Sequence, residues 1–195
     1  MTVLASASPA RAKMLQSAGV AFEIIPAQID EEALKAALLA KGMGPGEIAG
    51  ELAVAKAQAV SHGRSDVVIG ADQTLDLDGD LVSKAYHLDE ARDCLLRLRG
   101  RSHRLHSSAA VAREGEIKWR YVASVNLKMR CFSDLFLETY LARCGNELLG
   151  SLGCYHFEGF GAQLFERVVG DYHAILGLPL IRLLGALRSE GVVAE

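Results

Sequence analysis

The chain has 195 residues, of which half are apolar and 23% are charged, and its formal net charge is −3 at pH 7. This composition is ordinary for a globular protein and excludes a disordered chain, which would be poor in apolar residues. The slightly acidic balance argues against nucleic-acid binding, because proteins that bind polyanions present an excess of Lys and Arg.

The sequence carries no sign of a membrane or export segment. No apolar stretch approaches the ~18 residues that a membrane-spanning helix needs. The apolar run Val3-Leu4-Ala5 has no basic residue before it and is too short for a signal peptide. The four cysteines form no C-x-x-C pair, so we predict reduced cysteines in a cytoplasmic protein with no membrane partner.

Apolar spacing and turn residues predict the elements in chain order. Ser8 is a favoured helix cap and Pro9 fits a first helical position. Asp78-Gly79 predicts a hairpin turn, and Glu114-Gly115 lies between two paired strands. The predicted strands are Thr2–Ser6, Phe22–Ile25, Asp66–Ala71, Leu105–Ala112 and Lys118–Met129, with Leu75–Leu77 extended. The predicted helices are Pro9–Ser17, Glu31–Lys41, Pro45–Ser61, Leu88–Leu98, Ser133–Cys144 and Pro179–Arg188.

Strands alternate with helices early in the chain and pair antiparallel in its middle. This order predicts an α/β fold with a mixed central sheet and flanking helices. We expect a single domain over residues 1–195, with two lobes around a cleft and a lobe boundary near residue 80.

The first turn after the first strand predicts a phosphate site. Ser6, Ser8 and Arg11 surround a helix N-terminus, whose free N–H groups and positive dipole end suit an anion. The guanidinium of Arg11 adds a fixed fork of donors. The alternative is an ordinary capped helix with a surface arginine.

Two groups of carboxylates are candidates for metal binding. Asp30, Glu31 and Glu32 could hold Mg²⁺ near a phosphate chain, although acidic residues also favour a first helical turn. Asp72 ends the most apolar predicted strand, where a carboxylate is costly unless it is used or paired. Ligands commonly bind at such strand ends, so Asp72 is the stronger candidate.

Three further charged residues complete the candidates. Lys56 and Lys84 could neutralise a phosphate chain, although each alone is more often a solvated lysine. Glu158 lies between Phe157 and Gly159 in a glycine-rich segment, which is an unusual setting for a carboxylate.

Taken together, these segments resemble the Maf family of nucleoside triphosphate pyrophosphatases over nearly the whole chain. The order and spacing of the segments carry the resemblance, rather than any one of them. The first is Leu4-Ala5-Ser6-Ala7-Ser8-Pro9-Ala10-Arg11, which is similar to the family's L-A-S-x-S-P-x-R. The others are Ile29-Asp30-Glu31, Ala55-Lys56-Ala57, Ile69-Gly70-Ala71-Asp72, Gly100-Arg101-Ser102-His103, Glu158-Gly159-Phe160-Gly161 and Gly177-Leu178-Pro179-Leu180.

The resemblance implies a Maf- or ITPase-like fold that hydrolyses the bond between the α and β phosphates with a divalent metal, Mg²⁺ or Mn²⁺. Glu31 and Asp72 would hold metal and water, with Asp72 as the general base. A homodimer is also implied. The residues implied to bind substrate are Ser8, Arg11, Lys56, Lys84 and Glu158.

Departures from the family pattern bear on the substrate. Many relatives have a second Arg where this chain has Ala10, Pro where it has Ala85, and Gln where it has Glu158. The branch that acts on dTTP and UTP usually has both that Arg and that Gln. This chain is more similar to the branch that hydrolyses 7-methyl-GTP, although that branch often has a bulky aromatic residue at position 10.

Two alternatives to a 7-methyl-GTP enzyme remain open. One is a dTTP/UTP pyrophosphatase. The other, from a different class, is a non-catalytic nucleotide-binding or interaction protein in cell-division arrest, which the family link suggests. The combination of Lys56, Asp72 and Lys84 favours catalysis, because a protein without activity would have little need for all three.

Overall fold

The computed structural model describes residues 1–194 and contains seven strands and seven helices within that range. Short 3-10 turns occupy much of the segment between the fifth and sixth helices. The strands are β1 (Thr2–Leu4), β2 (Glu23–Ile24), β3 (Val67–Leu77), β4 (Asp80–Val82), β5 (Ser102–Arg113), β6 (Glu116–Met129) and β7 (Phe165–Val169). The helices are α1 (Pro9–Ser17), α2 (Glu31–Ala40), α3 (Pro45–Ser61), α4 (Leu88–Leu98), α5 (Asp134–Cys144), α6 (Tyr172–Ile175) and α7 (Leu180–Ser189).

The strands form one mixed sheet in the order β2-β1-β3-β5-β6-β7, with β4 paired to β3. Strand β1 is parallel to both β2 and β3, and Val3 lies opposite Val68. The pairs β3–β4 and β6–β7 are antiparallel. This confirms the prediction of an α/β fold with a mixed sheet and flanking helices.

The chain forms two compact units, each assembled from separate segments. The first unit contains Met1–Gln73, His106–Ser124 and the C-terminal segment from Asp171. The second contains Thr74–Leu105 and Val125–Gly170. The chain therefore first leaves the first unit after Gln73, whereas the sequence placed a boundary near residue 80. The single domain and its cleft stay predictions.

In the first unit, helices pack on both faces of the sheet, because alternate residues of β5 enter two different apolar clusters. The main cluster packs α1 and α7 against β1, β3 and β5. Leu15, Leu183 and Ile69 are fully buried in it. A second cluster consists of small residues, among them Ala53 and Ala57 of α3. Burial of these side chains supplies the main stabilising free energy of the unit.

Gly70 allows α3 to approach β3 unusually closely. A Cβ at this position would lie 2.1 Å from the carbonyl oxygen of Ala53 and 2.6 Å from the backbone nitrogen of Ala57. Any side chain here would therefore push the helix away from the strand. Lys56 lies between those two alanines in the helix, so the close approach brings its stem to the strand that carries Asp72.

The second unit is rich in packed aromatic rings. Tyr140 is fully buried on α5, and its ring stacks with those of Phe136 and Phe160 at centroid distances of 6.4 and 5.9 Å. Tyr155 meets Phe165 of β7 edge to face at 4.9 Å. Such pairs add specific geometry to the burial of large apolar surfaces.

Several predicted boundaries differ from the observed ones. Asp66–Ala71 was predicted as the strand, with Leu75–Leu77 continuing extended, and the structure joins them as one strand of eleven residues, Val67–Leu77. The sequence did not predict β7 or the short helix α6, both of which lie in the last third of the chain. Their few residues leave too little periodicity to detect. Within residues 1–194, no helix is long and apolar enough to cross a bilayer.

Candidate active site

Ser6 and Ser8 shape the turn between β1 and α1. The backbone N–H of Ser8 donates to Oγ of Ser6 at 3.3 Å. Oγ of Ser8 in turn caps α1 by accepting from the backbone N–H of Arg11 at 3.5 Å. Pro9 follows the cap at the first helical position, where it needs no backbone hydrogen bond. The predicted cap and helix start are therefore confirmed.

Arg11 is buried at 8% exposure, which excludes the alternative of a surface arginine. Its Nη1 donates to Oγ of Ser6 at 3.0 Å and to the carbonyl oxygen of Ala71 at 2.9 Å. Its Nε donates to the carbonyl oxygen of Gly177 at 2.9 Å. Burial lowers the pKa of Arg11, while the charges of Asp72 and Glu31 oppose that shift. The guanidinium thus forms hydrogen bonds to three separate segments of the first unit, and the charges of Asp72 and Glu31 act on it.

The centre of the candidate site is an ion cluster around Lys56. Its Nζ lies 2.6 Å from Oδ1 of Asp72 and 2.9 Å from Oε2 of Glu31. The side chains of Lys56 and Asp72 are only 8% and 9% exposed, whereas that of Glu31 is 40% exposed. A buried charge is tolerated when it is paired and hydrogen-bonded, and here each buried partner satisfies the other.

The secondary structure explains why these three side chains meet. Glu31 begins α2, directly after Asp30, whose side chain caps the helix by accepting from the backbone N–H of Ala33. Lys56 projects from the buried part of α3. Asp72 lies inside β3 rather than at its end, so the prediction that it ends the strand is wrong. The strand continues through Thr74 to Leu77, which are extended and buried.

Gln73 and Ser107 were not among the predicted site residues, yet they fix a turn next to Arg11. Nε2 of Gln73 donates to Oγ of Ser107 at 2.9 Å and to the carbonyl oxygen of Ala174 at 3.0 Å. Oγ of Ser107 donates to the same carbonyl at 2.6 Å. The backbone N–H of Gly177 also donates to that carbonyl, which continues the turn to the acceptor of Arg11. The only sequence signal was the position of Gln73 beside Asp72.

Lys84 and Glu158 belong to the second unit. Lys84 is exposed in the loop between β4 and α4. The next residue, Ala85, is buried and accepts a backbone hydrogen bond from Gly150 at 2.9 Å. Glu158 is exposed in a turn that precedes a 3-10 helix. The roles of both residues at the candidate site stay predictions.

The carboxylates of the ion cluster have the chemistry of a divalent-metal site. Among residues 1–194, no three His, Cys, Asp or Glu side chains come together as a preformed metal site. Glu31 and Asp72 nevertheless lie close together, because both contact the ammonium of Lys56. Mg²⁺ is commonly held by one or two carboxylates, with substrate phosphates and water completing its shell. The donor set therefore fits such an ion.

A buried lysine between two carboxylates, beside an arginine at a helix N-terminus, defines a site suited to a polyanion and a hard cation. Comparison with known proteins narrows this class. The family described as Maf-like protein matches residues 1–190. The chain belongs to the Maf family.

Three relatives match over nearly their whole length. A protein of Caulobacter vibrioides named nucleoside triphosphate pyrophosphatase is 53% identical, over 97% of this chain and 96% of its own. One of Maricaulis maris with the same name is 46% identical, over 99% and 98%. A protein of Rhizobium meliloti named 7-methyl-GTP pyrophosphatase is 45% identical, also over 99% and 98%.

Proposed function

We propose that this chain hydrolyses a nucleoside triphosphate to the monophosphate and pyrophosphate, with 7-methyl-GTP as its preferred substrate. Its family and its relatives make it a nucleoside triphosphate pyrophosphatase, a hydrolase that acts on acid anhydrides. The bond that is cleaved, the metal and the base preference are our proposals.

The observation that carries the proposal is the placement of Lys56 between Asp72 and Glu31 at 2.6 and 2.9 Å. One ammonium holds both carboxylates in a fixed orientation before any substrate arrives. Groups that are oriented in advance stabilise developing charge without reorganising during the reaction. A buried pair that served stability alone could be replaced by apolar residues at little cost, so its presence favours a role in chemistry.

Asp72 is the proposed general base. Oδ1 of Asp72 accepts from Lys56, and we assign its Oδ2 to the attacking water. The water loses its proton to this carboxylate as its oxygen bonds to the α phosphorus. The bond from that phosphorus to the bridging oxygen breaks, and pyrophosphate leaves with the electron pair. A bound Mg²⁺ or Mn²⁺ would neutralise charge on the phosphoryl oxygens. Glu31 and Asp72 would hold that ion.

The phosphate chain is assigned to the N-terminus of α1 and to nearby cations. Ser8 presents a hydroxyl there, beside the positive end of the helix dipole, which favours an anion. Arg11 commits Nε and Nη1 to protein oxygens, so we assign its Nη2 to phosphate. Lys56 and Lys84 would neutralise the remaining charge.

The base preference rests on Glu158. A 7-methylated guanine carries a delocalised positive charge, which thymine and uracil lack. A carboxylate could recognise that charge and accept N–H hydrogen bonds from the guanine, and charge-assisted bonds are roughly twice as strong as neutral ones. The relatives named 7-methyl-GTP pyrophosphatase, at 45% and 44% identity, support the same preference.

The test is a panel of canonical and modified triphosphates, with the products identified by chromatography. With Mg²⁺ or Mn²⁺ present, we expect monophosphate and pyrophosphate in equal amounts, and no turnover after chelation. Diphosphate and orthophosphate would refute the proposed cleavage site. A higher kcat/KM for dTTP or UTP than for 7-methyl-GTP would refute the base preference and leave the pyrophosphatase activity standing.

A further inference from the structure

Lys35 lies on α2 one helical turn after Glu31, so both side chains project from the same face of the helix. Its Nζ is 2.6 Å from Oε1 of Glu32. The side chain of Lys35 is 30% exposed, whereas that of Glu32 is 84% exposed. The lysine therefore lies partly under the surface, but its partner is in solvent.

The charge of Lys35 belongs to the same electrostatic cluster as Lys56. Partial burial lowers the pKa of Lys35, but the hydrogen bond with Glu32 and the charges of Glu32, Asp72 and Glu31 together raise it. Asp72 and Glu31 are the two carboxylates that hold Lys56. Glu31, one turn before Lys35 on the same helix face, lies 2.9 Å from Nζ of Lys56, so Lys35 lies near the candidate active site.

The three cations of this region differ in how firmly they are held. Arg11 donates to two backbone carbonyl oxygens and to a serine hydroxyl. Lys56 is buried between two carboxylates. Lys35 is held by an exposed carboxylate, and exposed ion pairs contribute little to stability. Lys35 is thus the cation that a stronger anion can most readily draw away.

We propose that Lys35 binds the phosphate chain of the substrate and that Glu32 holds it in the free protein. On binding, the ammonium leaves Glu32 and pairs with phosphate, which rests on the proposed triphosphate function. In the free protein, three cations, Arg11, Lys35 and Lys56, balance the negative charges of three carboxylates. These carboxylates belong to Glu31, Glu32 and Asp72. Release of Lys35 from Glu32 turns its charge toward the phosphates, where it neutralises part of theirs.

The test measures the dissociation constant of α,β-methylene-GTP with Mg²⁺ by calorimetry, because this analogue binds without being cleaved. Lys35→Gln should raise the dissociation constant by about twofold to fivefold, the upper part of the range for one partly exposed ion pair. Glu32→Gln should lower it about twofold, because it frees the lysine. Lys41→Gln removes an exposed charge just after the same helix and should leave it unchanged.

The double variant separates a specific pair from a general change of charge. If Glu32 acts through Lys35, Glu32→Gln should have no effect on affinity once Lys35 is Gln. Equal effects of Glu32→Gln in both backgrounds, or wild-type affinity in Lys35→Gln, would overturn the proposal. Circular dichroism would confirm that every variant is folded, as expected for substitutions at exposed or half-exposed positions.

The proposed function is tested separately by pyrophosphate release from the unaltered protein. Normal release together with wild-type affinity in Lys35→Gln would refute only the role of Lys35. No release from any triphosphate would refute the proposed function, while the affinities would still decide whether Lys35 and Glu32 control triphosphate binding.

Discussion

Nε of Arg11 donates to the carbonyl oxygen of Gly177 at 2.9 Å, across 166 positions of the sequence. Gly177 has φ +100°, a conformation that favours glycine, and it lies in the turn that Gln73 and Ser107 fasten. Nη1 of the same guanidinium reaches Ala71, one residue before Asp72. The side chain proposed to bind phosphate therefore also orders the strand that carries the proposed base.

Arg11→Lys should cost both stability and activity. A lysine keeps the positive charge, but its single ammonium cannot reproduce the planar fork that serves Ser6, Ala71 and Gly177. Each buried carbonyl left without a donor costs about 1–3 kcal/mol. We therefore expect urea unfolding to show a loss of about 2 kcal/mol, and pyrophosphate release to slow at least tenfold.

The control for Arg11→Lys is Arg182→Lys. Arg182 is exposed on α7, with its guanidinium 5.5 Å from the ring centroid of Tyr121. Its replacement should change stability by less than about 0.5 kcal/mol. Equal stability of the Arg11 and Arg182 variants would show that the buried hydrogen bonds of Arg11 contribute little.

Asp72→Asn should remove the chemistry while largely keeping the shape of the site. The amide has almost the same size, but it cannot accept a proton from water and brings no charge to a metal. A lost general base reduces kcat by about 10²-fold or more, and KM should change less. Asp66→Asn, just before the same strand, is the matched control and should keep its rate. A near-normal rate for Asp72→Asn would leave Glu31 or Glu158 as candidates for the base.

Local chemistry made much of this fold predictable from the sequence. Ser8 and Ser133 cap α1 and α5, as their positions before apolar helical patterns indicated. Asp78 and Glu114 both adopt positive φ beside a glycine, as their turns require. Each of these choices depends on neighbours within four residues, so a single sequence is enough to find them.

The geometry of the candidate site was less predictable because it depends on contacts between distant segments. The sequence suggested Lys56 and Asp72 as separate candidates, but only the close packing at Gly70 explains why their side chains meet. The turn at Ala174 has no motif of its own, because its donors come from Gln73 and Ser107 on two other strands. Nor could periodicity reveal that Arg11 is buried.

Glu158→Gln should reduce the preference for 7-methyl-GTP. Gln keeps the size of the side chain but loses the negative charge that would attract a methylated guanine. Since charge-assisted bonds are roughly twice as strong as neutral ones, kcat/KM for 7-methyl-GTP should fall about tenfold, with a smaller change for dTTP and UTP. Glu166→Gln, an exposed acid on β7, serves as the control. An equal loss for all substrates would instead assign Glu158 to the metal.

His103 is a buried titratable group apart from the ion cluster. Its ring is 2% exposed, and its Nε2 lies 2.8 Å from the hydroxyl of Tyr155. The ring also packs at a tilt against Tyr155 and Phe165, with centroid distances of 5.7 and 6.1 Å. Burial lowers the pKa of His103 from 6.5 to about 4, because the charged imidazolium would lose its hydration.

This shift predicts a loss of stability in mild acid. The folded protein binds the proton less readily than the unfolded chain, so the stabilisation is fully present above pH 6.5 and is lost as the pH falls toward about 4. The linked change is about 3 kcal/mol. The free energy of urea unfolding, measured at pH 7.5, 5.5 and 4.5, should fall as the pH is lowered.

Two variants test whether His103 causes this loss. His103→Gln does not titrate and can still bond Tyr155, so it should flatten the dependence of the unfolding free energy on pH over this range. His62→Gln, at an exposed position after α3, should keep the wild-type slope. An unchanged slope in His103→Gln would assign the acid sensitivity to other groups.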